Sequence, residues 1–166
     1  MNRRDVMARG LTASALAVAL PSPAAMADPG MKSNVAVQFA KTLSDHDIEA
    51  FAALFSPVYV NHQFSAASPR PPVGLSAKAL TVNLFHARLN GMANLKVVAD
   101  KIVVDGDSCA ANFIYEGTHT GLYMGVPPTG KHLRFSSCDI FRVEHGLIVE
   151  HWGMGDIAGL MAQLKG

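Results

Sequence analysis

The stretch that decides the fold runs from residue 132 to residue 153 and reads HLRFSSCDIFRVEHGLIVEHWG. Apolar and polar residues alternate on both sides of a polar break, and this period of two is typical of half-buried β-strands. We therefore predict an antiparallel hairpin of two strands, residues 132–143 and 147–153. The break, Glu144-His145-Gly146, suits a three-residue connection in which Gly146 takes positive φ as part of a β-bulge.

The register of this hairpin brings an acid and a histidine together. If Val143 faces Leu147, counting four residues outward on each strand places Asp139 directly opposite His151 on one face. The remaining residues of that face are apolar, so we expect it to face the interior. A carboxylate is costly to bury unless it is paired or used, so the two residues form either a structural ion pair or a catalytic pair.

Two further strands precede the hairpin, at residues 95–104 and 109–118, and show the same alternation. Before residue 95, apolar residues recur at the helical spacing i, i+3, i+4 and i+7. Three helical patterns are present, carried by Ala36, Phe39, Ala40 and Leu43, by Ile48, Phe51, Ala52 and Phe55, and by Ala77, Leu80, Leu84 and Ala87. Ser44 and Ser76 are expected to cap the second and third helices, and residues 157–165 to form a short last helix. Helices followed by strands predict an α+β domain, with helices on one face of an antiparallel sheet.

Residues 1–27 have the composition of an export signal. Arg3, Arg4 and Arg9 precede an uncharged run at residues 10–20, which is too short for a membrane-spanning helix of about 20 residues. Small residues at positions 25–27 predict cleavage after Ala27. The adjacent arginines resemble a twin-arginine signal, with a general secretory signal as the alternative. We therefore expect a leader at residues 1–27, a single domain at residues 28–166, and a periplasmic or secreted location.

The expected mature domain carries almost no net charge. Without the leader's three basic residues and one acid, the 14 basic and 13 acidic residues of the chain become 11 and 12. Nucleic acids and anionic membranes are bound through clusters of Lys and Arg, so we expect neither as a partner, and no membrane anchoring. A small, largely apolar molecule is the expected partner. Cys109 and Cys138 lack metal-ligand spacing and are expected as two buried free thiols, with a disulfide between them as the alternative.

A family resemblance is carried by motifs that follow one another along the chain. Tyr59-Val60-Asn61-His62 comes first, followed by GTHTG at 117–121, GVPPTGK at 125–131, DIFRV at 139–143 and IVEHW at 148–152. In this order they resemble the SnoaL-like polyketide cyclases of the nuclear-transport-factor-2-like superfamily. The resemblance implies a cone-shaped barrel, in which a curved sheet wraps around the third helix and encloses an apolar cavity. It leaves the reaction open and implies a homodimer as an alternative to a monomer.

Further side chains are expected to face that cavity. Asn61 lies where the family places a substrate-orienting Asn, with a turn role as the alternative, and His62 follows it at the rim. Tyr115 and His119 share one strand face and offer hydrogen bonds to a carbonyl oxygen, with structural roles as the alternative. Two aromatic residues on the side of Asp139 are expected in the cavity wall, Phe135 and Phe141. Asp156 resembles a family-wide Asp and is expected to cap the last helix.

The catalytic acid of the family is missing from this chain. In the cyclases it lies two residues after the His of the last strand, and here that position is Gly153. Asp139 on the neighbouring strand faces the same cavity and is expected to take over the proton transfer. The sequence has no nucleophile elbow and no H-E-x-x-H motif, and we expect neither a metal nor a cofactor.

Two functions are consistent with these residues. The first is a cofactor-free acid/base enzyme of cyclase, isomerase or hydrolase type, acting on a small carbonyl or cyclic compound. In it, Asp139 is the base, His151 tunes that base, and an oxyanion is held by Asn61, His119 or Tyr115. The second is a non-catalytic periplasmic protein that binds a small molecule in the same cavity. Conversion of a bound molecule distinguishes the first function from the second.

Overall fold

The computed structural model describes residues 29–63 and 72–166. The expected leader at residues 1–27 lies outside the described residues. The elements in chain order are α1 (Pro29–Ser44), α2 (Ile48–Ala53), β1 (Phe55–Asn61), α3 (Ala77–Gly91), β2 (Lys96–Asp105), β3 (Ser108–Thr118), β4 (His132–Glu144), β5 (Leu147–Gly155) and α4 (Ile157–Lys165). Within the described ranges, no helix has the length and apolar character to cross a membrane.

The five described strands form one curved sheet in the order β1-β5-β4-β3-β2. Strands β2 to β5 are antiparallel to their neighbours, as the alternating sequence predicts. Helices pack on one side of this sheet, which confirms the α+β class and the cone-like arrangement of a sheet wrapped around helices. The sheet does not close, because β1 and β2 form its two edges.

Strand β1 corrects the prediction of a purely antiparallel sheet. Phe55 was assigned to the second helix from its spacing, but α2 ends at Ala53 and the chain continues as a strand parallel to β5. The backbone N–H of Ile148 donates to the carbonyl of Leu54 at 2.8 Å, so pairing with β5 begins where the helix ends. Pro57 lies within β1, and an edge strand tolerates its missing N–H.

One aromatic side chain, Phe39 of α1, joins the helices to the sheet. All four apolar residues of the first helical pattern are buried, as predicted. The Phe39 ring lies between helix and sheet residues, with centroid distances of 5.1 Å to Phe51, 5.3 Å to Phe85, 4.7 Å to Phe113 and 5.4 Å to Phe141. Aromatic rings at these distances attract each other in preferred relative orientations, so these contacts favour one arrangement of the core over others. The core therefore fixes α1, α2 and α3 against the inner face of the sheet.

Two of the three predicted helix caps are confirmed. Ser76 accepts a hydrogen bond from the backbone N–H of Ala79, and Asp156 accepts one from that of Gly159. The expectation for Ser44 is wrong, because α2 is capped by Asp47 instead. The Ser44 hydroxyl lies against β2, where it donates to the carbonyl of Val97 and accepts from its N–H, so a tertiary contact replaces the expected cap.

The hairpin register differs from the prediction by two residues. Glu144 pairs with Leu147 across a two-residue turn, His145 at φ +50° and Gly146 at φ +80°, and a β-bulge follows in the pairing. Asp139 consequently lies opposite Gly153, and not directly opposite His151 as predicted. The positive φ of Gly146 is confirmed, but the three-residue connection is wrong because His145 also adopts the left-handed conformation. Beyond the bulge the offset from the prediction is two residues, so Asp139 and His151 keep their expected face. At the turn the offset is one, and Ile148, not Leu147, is the buried residue opposite Val143.

The two cysteines lie on opposite sides of the sheet. Cys109 is buried and Cys138 is exposed, and both are free thiols. The expectation of two buried thiols is therefore correct for Cys109 and wrong for Cys138. Side chains alternate along β4, and Cys138 adjoins the inward-facing Asp139, so its thiol lies on the outer face.

Candidate active site

A cavity of about 420 Å³ lies between α3 and the inner face of β3, β4 and β5. This volume is within the ordinary range of small-molecule pockets. Its wall combines apolar groups with a set of convergent polar ones. The polar side chains that line it are Asn61, Gln63, Thr81, Arg88, Tyr115, Tyr123, Ser137, Asp139 and His151.

Asp139 and His151 form a buried hydrogen-bonded pair in the wall of this cavity. Asp139 is 5% exposed and His151 is 3% exposed. The distance from His151 Nε2 to Asp139 Oδ1 is 2.7 Å. The pair meets diagonally across β4 and β5, so the contact expected from the sequence exists despite the different register.

A chain of hydroxyl groups orients the histidine. The Thr81 hydroxyl donates to the oxygen of Tyr59 at 3.4 Å, and the Tyr59 hydroxyl lies 3.0 Å from His151 Nδ1. Burial raises the pKa of Tyr59, so its hydroxyl keeps its proton and donates it to Nδ1. With Nδ1 accepting, the network assigns the proton of the neutral ring to Nε2, which donates to Asp139. His151 is thereby held with its N–H directed at the carboxylate.

The second carboxylate oxygen of Asp139 has its own donor. The Ser137 hydroxyl donates to Oδ2 at 2.5 Å, and lies 3.4 Å from the hydroxyl of Tyr115. A serine has only one proton to give, and the shorter contact to Asp139 takes it. Burial raises the pKa of Tyr115, so that hydroxyl also keeps its proton, which is then available to a molecule in the cavity.

Gly153 makes room for the pair. A Cβ atom at this position would overlap Asp139 Oδ1, and would lie 2.7 Å from His151 Nε2 and 2.8 Å from Gln63 Oε1. Real Cβ atoms essentially never approach other heavy atoms this closely. The Asp139–His151 hydrogen bond therefore occupies the space of the side chain that the family resemblance places at position 153.

A second buried charge in the cavity wall is Arg88 of α3. It is 7% exposed, and its Nε donates to the Tyr123 hydroxyl at 3.0 Å. Its guanidinium carbon lies 4.6 Å from the ring centroid of Tyr115, 4.7 Å from that of Phe85 and 5.2 Å from that of Phe135. Distances below about 6 Å favour cation–π attraction. The cation is thus held by aromatic rings on three sides.

The buried face of α3 differs from the predicted apolar stripe. None of Ala77, Leu80, Leu84 and Ala87 is buried, whereas Thr81, Phe85, Arg88 and Leu89 are. Leu84 and Ala87 line the cavity instead. Because the cavity is partly polar, α3 presents Thr81 and Arg88 to the interior, and apolar periodicity alone misses both. Their spacing of seven residues on one helix face is the signal that was available in the sequence.

Four of the eight side chains proposed from the sequence line the cavity together: Asn61, Tyr115, Asp139 and His151. The Asn61 amide also extends the hydroxyl chain, since its Nδ2 lies 3.5 Å from Thr81 Oγ1. Sequence reasoning missed Tyr59, Thr81, Arg88 and Ser137. Of these, Ser137 was the easiest to predict from the sequence, because this residue lies two positions before Asp139 and therefore on the same strand face.

The other four proposed side chains do not line the cavity formed by the described residues. Phe135 lies behind Tyr115, with stacked rings 5.0 Å apart, and Phe141 packs 5.2 Å from the His151 ring. His62 is exposed on the outer side, where it contacts Glu150 at 2.6 Å and stacks on Trp152 at 4.4 Å. His119 is fully buried, and its Nδ1 lies 2.9 Å from the Thr129 hydroxyl.

Within residues 29–63 and 72–166, no group of three or more His, Cys, Asp or Glu side chains is placed to hold a metal ion. The cavity wall offers proton donors and acceptors of its own. Asp139 can accept a proton, Tyr115 can donate a hydrogen bond, and Arg88 supplies a positive charge at the same cavity.

Comparison with known proteins places this fold and cavity in context. A family model, SnoaL-like polyketide cyclase, matches residues 34–164. TsrD from Streptomyces laurentii has a similar structure, with a TM-score of 0.71 and 22% identity over 83% of this chain and 97% of TsrD. IdmH from Streptomyces antibioticus, a candidate polyketide cyclase, gives a TM-score of 0.69 and 27% identity over 81% of this chain and 99% of IdmH. No match was found among curated proteins.

Proposed function

This chain belongs to the SnoaL-like polyketide cyclase family, and from that premise we propose that it is an acid/base enzyme acting on a small carbonyl compound, with Asp139 as the base. The family binds small molecules in a pocket. One observation carries the proposal: a buried carboxylate faces the cavity and is oriented through separate donors on its two oxygens, His151 and Ser137. A group held in this way needs little reorganisation when it accepts a proton.

The reaction that this arrangement supports begins with proton removal. Asp139 takes a proton from the carbon next to a carbonyl group, and the electron pair of the broken C–H bond moves onto the carbonyl oxygen as an enolate. The Tyr115 hydroxyl donates a hydrogen bond to that oxygen. The enolate then follows one of two routes. If it is conjugated to a double bond, protonated Asp139 returns the proton to a different carbon of the conjugated system, which isomerises the substrate, or the enolate carbon attacks a second carbonyl of the same molecule and closes a ring. In the second case protonated Asp139 returns its proton to the new alkoxide.

A binding protein without turnover is the second candidate, and one observation favours it. Gly153 stands where the family resemblance places the catalytic acid, so the family's own arrangement is absent. In that case the hydrogen bond between Asp139 and His151 braces β4 against β5, and the cavity only holds its ligand. Export to the periplasm or beyond, supported by the adjacent Arg3 and Arg4 of the leader, is part of both proposals.

A ligand carried through purification distinguishes the two candidates. We expect native mass spectrometry of the protein to identify a bound small molecule, and NMR in D₂O to show its conversion or exchange of the proton next to its carbonyl. Asp139→Asn should abolish this signal, and Asp105→Asn, an exposed acid at the end of β2, should not. A ligand that stays unchanged and unexchanged with the unsubstituted protein would establish the binding role instead.

A further inference from the structure

Arg88 carries a buried charge that the proton transfer to Asp139 does not use. Among residues 29–63 and 72–166 it forms no ion pair, and no hydrogen bond joins its two Nη groups to another side chain or backbone group. Its one hydrogen bond to a residue within those ranges uses Nε. The carboxylate of Asp139 helps to keep the pKa of Arg88 high, but it makes no direct contact with the guanidinium group. Aromatic faces compensate for only part of the hydration that a buried cation loses.

The surroundings of Arg88 keep its guanidinium group directed toward the cavity. Phe85, Tyr115 and Phe135 present their rings to it, and Tyr123 holds Nε. These contacts leave the two Nη groups without a hydrogen-bond partner among residues 29–63 and 72–166. The fork of the two Nη groups is the part that matches two oxygens of a planar anion.

We propose that Arg88 binds an anionic oxygen of the ligand, so that the cavity selects molecules with a carboxylate or a stabilised enolate on an otherwise apolar frame. Asp139 lines the same cavity and repels anions. The two charges therefore orient such a ligand, with its anionic end at Arg88 and its reacting carbon toward Asp139. The apolar side chains between them, such as Leu84 and Ala87, contact the rest of the molecule.

This inference deepens the proposed function, and its enolate form rests on that function. If the proposed reaction occurs, the enolate oxygen formed by Asp139 is the anion that Arg88 stabilises together with the Tyr115 hydroxyl. If the ligand enters as a carboxylate, Arg88 acts at binding and independently of turnover. Both sources present the same chemistry, an oxygen anion conjugated to a planar group.

Calorimetric titration of the purified protein with three probes tests the inference. Naphthalene-2-carboxylate is the carboxylate, 2-acetylnaphthalene its neutral counterpart of similar shape, and indane-1,3-dione a stabilised enolate near neutral pH. We expect at least one anion to bind on the order of tenfold or more tighter than 2-acetylnaphthalene, because hydrogen bonds to charged groups exceed neutral ones. The anion that is preferred identifies the source. Equal or tighter binding of the neutral probe, or no binding of either anion, overturns the inference.

Substitutions then assign the preference to Arg88. Arg88→Met should remove it, whereas Arg134→Met, an exposed arginine paired with Glu116, should retain it. Arg88→Lys keeps the charge without the planar fork, so the preference should fall severalfold and persist. If both Arg88→Lys and Arg88→Met keep the full preference for the anionic probe, Arg88 is not its source. If the Met variant does not fold, an unchanged preference in Arg88→Lys alone leads to the same conclusion. If anion binding depends on Arg88 but the protein turns over no substrate, only the proposal of an enzyme is overturned. If turnover is unaffected by Arg88→Met, only the proposed anion-binding role of Arg88 is overturned.

Discussion

At the residue scale, the site depends on one missing side chain and on one donor for each oxygen of Asp139. Gly153 leaves the space in which Asp139 meets His151, and Ser137 and His151 each donate to a different carboxylate oxygen. The acid of this site therefore comes from β4, whereas the family resemblance places it on the last strand. A side chain at position 153 would displace the Asp139 carboxylate from its present position.

The structural and the catalytic role of the pair Asp139 and His151 predict opposite effects of Asp139→Asn on stability and turnover. Asp139→Asn preserves both contacts, because the amide oxygen accepts from His151 Nε2–H and the amide nitrogen donates to Ser137. We therefore expect the variant to fold and bind ligand, yet to lose on the order of a hundredfold or more in turnover of the identified substrate. Chemical denaturation and steady-state kinetics provide the two readouts.

The bracing role predicts the reverse for the same variant, because the amide oxygen is a weaker acceptor for His151 than the carboxylate and the brace depends on the strength of that hydrogen bond. Loss of stability with unchanged turnover would remove Asp139 from the mechanism. The double variant Asp139→Asn, His151→Gln measures whether the two side chains act as a unit, because the effects of independent sites add and those of coupled sites do not.

Gly153→Ala should disrupt the pair without touching either member. The added methyl group overlaps the Asp139 carboxylate, and overpacking of this kind costs about 1 to 3 kcal/mol of unfolding free energy. Gly155→Ala is the matched control two residues along β5, since its Cβ would meet nothing nearer than 3.6 Å. Equal melting temperatures for the two variants would contradict the close packing at Gly153.

At the scale of elements, the β4–β5 hairpin sets the geometry of the site through its turn and its bulge. Two successive residues at positive φ, His145 and Gly146, make a tight two-residue turn. The bulge that follows moves the pairing so that Asp139 lies opposite Gly153. Without the bulge, the pairing of Glu144 with Leu147 would continue along the strands and place Asp139 opposite Trp152.

Gly146→Val should destabilise this turn. Gly146 has φ +80°, where a β-branched residue is strained by roughly 1 to 2 kcal/mol. His145→Asn is the matched control, because asparagine tolerates the left-handed region better than histidine or valine, and its stability should be unchanged or higher. Thermal unfolding of both variants measures the difference in stability. A melting temperature of Gly146→Val equal to that of the unsubstituted protein would contradict the requirement for positive φ in this turn.

At the scale of the whole molecule, the curved sheet separates two functional surfaces. Its inner face holds the cavity, and its outer face exposes apolar side chains on adjacent strands. Trp152 is 39% exposed, Met154 77% and Ile140 43%, and Ile140 pairs with Trp152 across β4 and β5. A contiguous apolar patch on an otherwise polar surface is typical of interaction sites.

The outer patch offers a surface for the homodimer that the family resemblance implies as an alternative to a monomer. We predict a dimer in light scattering coupled to size exclusion, and a shift toward monomer for Met154→Lys, because burying an unpaired charge opposes association. Val73→Lys, at an exposed residue outside the sheet, should leave the mass unchanged. A monomer at all tested concentrations would refute the dimer.

Export is a property of the whole precursor. Replacing Arg3 and Arg4 with Lys should retain the precursor in the cytoplasm if the leader is of the twin-arginine type. Cell fractionation with N-terminal sequencing checks this, and the mature chain should begin near Asp28. Normal periplasmic accumulation of the double variant would rule out the twin-arginine route.

The sequence by itself determined most of the helices and strands, and the face of the sheet on which Asp139 and His151 lie. Four strands, the helices and the inward direction of Asp139 and His151 follow from periods of 2.0 and 3.6, which are set by backbone geometry and need no knowledge of distant contacts. Face parity survives a register error of two, so the pair was found although its exact pairing was wrong.

Only the tertiary structure decided which polar groups share the cavity. Tyr59 belongs to a parallel edge strand that pairs with β5, and Thr81 and Arg88 become cavity residues when α3 packs over the sheet. These placements depend on contacts between segments far apart in the chain, and on a bulge and a second left-handed residue with weak local signals. A polar residue on a helix has the same local preferences whether it faces solvent or a cavity, and only the packing of the other elements distinguishes the two.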